Sequence, residues 1–370
     1  SSLRILPGIS FSFIATLFVH SFALCTTMLD LSTLRSLLLI DSPTGFTHTA
    51  CDYIESVLCS YGYSPERTPK GAVRCALGPN PVLAIAAHTD TLGAMVSGIT
   101  SSGLLRFSLV GGPLLPTFEA SYVRIHTLSG SVFTGTVLLD NPSTHANKNA
   151  ATGERSIANM HVRLDERVTS ADDVRALGIR IGDFICFDTK YEETDSGFIK
   201  SHFLDNKAGC YVLFEIARRV SEQKRNVPVE LYFSTYEEVG HGGTTGYSAD
   251  IRDLLTIDMG VLGNDCEGDE YSCSICAKDS GGPYDYHFRK WLVELAETHA
   301  IPHKLDVYPY YSSDGTAAWR AGRDFRVALI GPGVAASHGM ERTHRDALQA
   351  TIDLCMHLSL IHISEPTRRY

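Results

Sequence analysis

The chain has no excess of basic residues: 32 Lys and Arg stand against 42 Asp and Glu, a net charge of −10 over 370 residues. No basic patch is visible, which argues against a nucleic-acid partner. It also lacks a disulfide framework. Ten cysteines are present, but their spacing is irregular, as for reduced thiols in a cytoplasmic protein. Cys273-Ser274-Ile275-Cys276 is a CxxC with no second pair, so it reads as strand rather than as a metal or redox motif. Internal repeats and low-complexity segments are absent. Apolar residues make up 44% and charged residues 20%, ordinary values for a globular chain of one large or two medium domains.

The one long apolar run, residues 8–27, is broken by His20 and several serines, and Met28 follows it. An amphipathic pattern begins directly afterwards. Residues 1–28 are therefore read as upstream sequence rather than as a signal peptide or membrane anchor. The tail, 359–370, resembles translated adapter sequence, and the last helix is expected to end near Leu358.

Between these ends the texture changes twice. Residues 29–93 predict helix, helix, strand, strand, ending in VLAIAAHTDTLG, whose apolar run suits a strand buried on both faces. Residues 94–194 are short, β-rich and punctuated by Gly, Ser and Asn, as for an inserted small β-barrel or sandwich. From 195 to 358 helices and strands alternate again. The expected fold class is α/β: an α/β/α sandwich from 29–93 and 195–358, split by the β insert.

Acids and histidines collect where strands end or helices begin: His88 and Asp90, Asp205, Glu237 and Glu238, Asp258, and His344. Open α/β sheets bind ligands at the carboxyl ends of their strands. So many carboxylates at one sheet edge would repel one another. A pair of divalent cations resolves the repulsion, Zn2+ by preference and Co2+ as the alternative. Asp205 is then expected to bridge ions ~3.5–4 Å apart. His88 and Asp258 would complete one ion, Glu238 and His344 the other. Asp90 would accept the other ring N–H of His88 and fix its tautomer. Glu237, beside a ligand on the same strand, would lean over the site as general base.

AHTDTLG, FLDNKAG, STYEEVG, TIDMG and the late ERTH resemble, in order and spacing, the di-zinc aminopeptidases of metallopeptidase family 42, the TET-type relatives of glutamyl aminopeptidase. The resemblance spans about residues 29 to 358. It implies an α/β catalytic domain with an inserted barrel or PDZ-like dimerisation domain, assembly of dimers into a dodecamer, and removal of N-terminal residues from short peptides. It also implies that the first Glu of the pair, Glu237, is the base and the second a ligand. The last ligand of that family usually sits in an Arg-Tyr-Met-His-Ser-Pro setting. Here Arg342 precedes His344 by two residues instead of three, and His338 lies six residues before His344. His344 is preferred, with His338 the alternative.

Two rival readings exist. Asp279-Ser280-Gly281-Gly282-Pro283 looks like the nucleophile segment of trypsin-like proteases, and the run before His88 suits their base. Lys278 stands where those enzymes have Gly, and the α/β texture does not suit two barrels, so the segment reads as a turn. The second rival is an inactive scaffold that has kept the di-metal-peptidase fold. The presence of every expected ligand argues against it. Ser312-Ser313-Asp314-Gly315 is a further loop near the expected pocket, substrate-facing or structural.

Overall fold

The structure, a computed structural model, describes residues 29–364. The expectation for residues 1–28, and the end of the tail, lie outside the described residues. Residues 359–364 continue the closing helix, which spans Arg345–Ser364 and so runs past Leu358.

A ten-stranded mixed sheet forms the centre. Its core is four parallel neighbours: Val229–Ser234, Leu83–His88, Asp253–Ile257 and Arg326–Val334. All six residues of Leu83–His88 are buried, because helices or loops cover both faces of the strand. Alternation divides its side chains. Ala87 meets the long helix Leu204–Glu222 at Gly209, where an added Cβ would come within 3.1 Å of the Ala87 methyl. Ala84 and Ala86 face the other way, into a cluster with Tyr232, Tyr247, Tyr308 and Ala318 of the short helix Asp314–Arg320. Burying Leu83 and Ile85 stabilises the fold by roughly 1.5–3 kcal/mol each.

The register brings strand ends together. Ser234 pairs with His88, and Ile257 pairs with Ile330. The chain leaves the sheet toward Glu237 and Asp258 at the same edge as His88. That edge tolerates little added bulk. A Cβ at Gly331 would lie 1.4 Å from the backbone oxygen of Asp258. Gly331→Ala is therefore expected to cost about 3 kcal/mol, the upper end of overpacking, because backbone and not a mobile side chain is in the way. Chemical denaturation of the variant would show it, and an unchanged midpoint would contradict this packing.

Between Gly93 and Phe187 the chain forms a closed six-strand antiparallel barrel, in the order Gly93–Ile99, Leu105–Val110, Met160–Leu164, Val132–Leu139, Tyr122–His126 and Phe184–Phe187. Gly135, Val137 and Leu139 point inward while their neighbours do not, the period of two expected of a strand with one buried face. Phe107, Val123, Ile125, Val162 and Ile185 fill the interior.

A small third sheet pairs Glu192–Glu193, Phe198–Ser201 and Glu341–His344. The segment ERTH is thus a strand that leads into the closing helix. Ser201 pairs with Glu341 and Phe198 with His344. Cys273 and Cys276 lie buried on one strand of the large sheet, and burial pushes both thiols up to about 12, away from redox or ligand chemistry. No described helix is long and apolar enough to cross a membrane.

Candidate metal centre

His88 is 1% exposed at the end of its strand. Its Nδ1–H donates to the backbone carbonyl of Asp90 at 2.9 Å, and Nε2 faces Asp205 Oδ1 at 3.0 Å. The backbone carbonyl therefore fixes the tautomer, which corrects the expected role of the Asp90 carboxylate. That carboxylate accepts N–H bonds from Glu237 at 3.1 Å and Glu238 at 3.3 Å, and the Thr44 hydroxyl at 2.6 Å. Asp90 thus anchors the turn that presents the two glutamates.

The strand before that turn stops at Ser234. Tyr236 is left-handed, at φ 70°, and Glu237–Val239 form one turn of 3-10 helix. Strand alternation no longer applies, so Glu237 and Glu238 both reach the site. Glu237 Oε2 lies 3.8 Å from His88 Nε2.

Asp205 stands just ahead of the regular helix, with φ −75° and ψ 102°, and its peptide to Asn206 is cis. The helix is capped by Asn206, whose Oδ1 accepts from the Gly209 N–H at 3.1 Å. This leaves the Asp205 carboxylate free to face His88. Asp205 Oδ2 lies 3.6 Å from His338 Nε2, which is 3.7 Å from Glu238 Oε2.

His344 is not in this group. In the strand Glu341–His344 the inward positions are Glu341 and Thr343, so Arg342 and His344 fall on the opposite face. There the His344 ring packs against Phe198 and Tyr271, its Nε2–H donates to the Ser196 carbonyl at 2.8 Å, and its Nδ1 accepts from the Asp346 N–H. Both ring nitrogens are engaged away from the acids. The geometry corrects the preference for His344 and puts His338, in the turn before the strand, at the cluster.

Donor atoms of His88, Asp205 and Glu238 lie within 4.8 Å of one another, and so do those of His88, Glu237 and Asp258. Burial and neighbouring carboxylates hold Glu237 and Glu238 well above the ordinary carboxylate range. Burial and Asp205 push Asp258 up to about 8. Burial disfavours the charged forms of His88 and Asp205. Their mutual hydrogen bond and the neighbouring opposite charges together outweigh it, raising His88 and lowering Asp205. Glu238 Oε1 is buried with no hydrogen-bond partner. Such a set of crowded acids, two imidazoles and an unpartnered oxygen fits divalent cations.

Three groups were given no role by the sequence reading, although Asp314 lies in the Ser312–Gly315 loop and Glu341 in ERTH. Asp314 is buried beside this edge, accepts a hydrogen bond from the Ser234 hydroxyl and is pushed up to about 6 by burial. In its loop, Ser313 caps the following helix through the Gly315 N–H at 3.2 Å. The Tyr311 hydroxyl is buried without a full hydrogen bond, close to Asp258. Glu341 holds two backbone N–H groups of the site. The Asp279–Pro283 segment makes a tight turn between the strands Cys273–Asp279 and Gly282–Pro283. The Asp279 carboxylate accepts from Gly281 N–H, Tyr284 and Thr316, a structural role.

Comparison with known proteins gives the family. Residues 71–354 match the M42 glutamyl aminopeptidase family. The chain is 43% identical over 326 residues to the YhfE protein of Bacillus subtilis (strain 168), covering 87% of this chain and 94% of that one. It is 26% identical over 246 residues to the lysyl aminopeptidase of Pyrococcus furiosus, covering 65% and 69%. In fold it is similar to the TET aminopeptidase of a marine-sediment thaumarchaeon, with a TM-score of 0.81 at 19% identity over 89% of this chain and 95% of that one. The Pyrococcus horikoshii TET1 peptidase, which can assemble into a tetrahedron or a large octahedral shell, gives 0.78 at 18% over 89% and 98%. The chain belongs to the M42 glutamyl aminopeptidase family and is a metal-dependent aminopeptidase.

Proposed function

We propose that the enzyme removes N-terminal residues from short peptides using two divalent cations, Zn2+ by preference and Co2+ as the alternative. His88, Asp205 and Asp258 would hold one ion. Asp205, Glu238 and His338 would hold the other. The observation that carries this reading is the pair of donor groups that meet at His88 Nε2, with His338 closing the second side against Asp205 and Glu238. Bound there, such ions neutralise the acids, lower the pKa of water and polarise a carbonyl.

The remaining steps belong to the chain. Glu237 takes a proton from the attacking water and returns it to the leaving amine. Its turn is held by the Asp90 carboxylate through the Glu237 and Glu238 N–H groups, so the base keeps its place while the proton moves. Burial raises its proton affinity above that of an ordinary carboxylate, the direction a general base requires. An inactive scaffold is not favoured, since the donors converge and one oxygen is left unpartnered.

We place the enzyme in the cytoplasm, consistent with the nine described cysteines, all free. We assign the barrel to self-association, in a homo-oligomer of the dodecameric kind seen in the 12-subunit PhTET1 structure, which is similar in fold at a TM-score of 0.79.

Elemental analysis of wild type beside Asp205→Ala tests the centre. Wild type should carry close to two zinc or cobalt ions per chain and hydrolyse aminoacyl-anilides, while the variant carries fewer ions and loses activity. Wild type that takes up no ion from excess zinc or cobalt would sink the proposal.

A further inference from the structure

Glu341 is 2% exposed on the inward face of its strand, opposite Ser201. Its two oxygens serve different partners. Oε2 accepts from the Asp205 N–H at 3.0 Å, and Oε1 accepts from the His338 N–H at 3.0 Å. One carboxylate therefore ties the segment entering the long helix to the turn that carries His338.

The turn needs such a tie. Ala336 and His338 both adopt left-handed backbone, at φ 58° and 61°, which costs about 1 kcal/mol or more for a non-glycine residue. Other fasteners act on the same turn. His338 Nδ1–H donates to the Gly112 carbonyl at 3.0 Å, and the His338 carbonyl accepts from the Leu114 N–H at 3.0 Å. The His202 Nδ1–H donates to the Gly339 carbonyl at 2.5 Å. Gly112 and Leu114 follow the second barrel strand, so the barrel fixes the ring tautomer that leaves His338 Nε2 toward Asp205 and Glu238. Glu341 hydrogen-bonds the backbone N–H groups of both Asp205 and His338.

Only a carboxylate satisfies both contacts. It is acceptor-only, whereas the isosteric amide of Gln would set an N–H2 donor against one of the two backbone N–H donors. We propose that Glu341 is a positioning residue that fixes the spacing between Asp205 and His338, and thereby the affinity of the second cation. This rests on the assignment of Asp205 and His338 as ligands in the preceding section.

The test is a calorimetric Zn2+ titration of metal-stripped wild type, Glu341→Gln, Glu341→Asp and His338→Ala. Glu341→Gln should still bind two ions, one with wild-type affinity and one about 10–100-fold more weakly, the usual effect of removing a group that orients a ligand. Its peptidase activity should fall in kcat with KM little changed, and return as Zn2+ or Co2+ is raised. Glu341→Asp keeps two acceptor oxygens and should weaken the same ion less. If Glu341→Gln does not fold, Glu341→Asp decides alone: weaker binding of one ion supports the proposal, and wild-type affinity at both overturns it. Folded Glu341→Gln with both affinities unchanged also overturns it. His338→Ala separates the two readings. If that variant binds both ions as wild type does, the ligand assignment itself has failed and the role of Glu341 falls with it.

Discussion

His338→Ala should bind one cation where wild type binds two, and lose about 100-fold or more in activity, whereas His344→Ala should keep both ions. The expectation follows from where the two rings point. His338 Nε2 lies 3.6 Å from Asp205 Oδ2 and 3.7 Å from Glu238 Oε2, with Nδ1 occupied by the Gly112 carbonyl. Truncation removes the donor that closes one side of the site, and the loss of a ligand exceeds the 10–100-fold typical of a group behind one. His344 has both nitrogens engaged elsewhere and packs between Phe198 and Tyr271. Its removal should cost about 1 kcal/mol of stability through a lost hydrogen bond, and nothing in metal content. Elemental analysis and anilide hydrolysis of the two variants side by side make the comparison. The opposite pattern would return the ligand to His344 and require the strand pairing of Glu341–His344 to be wrong.

Glu237→Gln should keep both cations and lower kcat by about 10²–10⁴-fold, the range for a removed general base. Gln preserves shape and leaves untouched the N–H bonds by which Asp90 holds the turn. The change should therefore fall on proton transfer and spare KM. The pH profile adds a second readout. A carboxylate accepts a proton only when ionised, so wild-type kcat should rise with pH through the pKa of Glu237, which burial holds above the ordinary carboxylate range. That acidic limb should disappear in the variant. Glu237 also sits within reach of His88 and Asp258, as a ligand would. Loss of a cation in Glu237→Gln would assign it that role instead and remove it as the base.

Much of this centre could be read from residue order. AHTDTLG, FLDNKAG, STYEEVG and TIDMG each end an apolar strand or open a helix, and parallel pairing must bring such ends to one sheet edge. His88, Asp205, Glu238 and Asp258 do gather there, with Glu237 beside them. The α/β texture interrupted by β-rich sequence likewise announced an α/β domain with a barrel or sandwich insert, and the structure resolves these as a mixed sheet and a closed barrel.

The sequence by itself determined the chemistry: which side chains are donors, in what order, and at which kind of strand end. It could do so because hydrophobic runs and periodicity are local properties of the chain. Tertiary structure alone decided which way several of those side chains face. The pairing of Ser201 with Glu341 turns Glu341 inward and His344 outward, and a shift of one residue would exchange the two faces. The 3-10 turn after Ser234 sends both glutamates into the site. The Asp90 carboxylate reaches past His88 to the N–H groups of that turn, and the barrel supplies the carbonyl that orients His338. Each of these depends on a contact between segments far apart in the chain, and no local pattern of residues encodes such a contact.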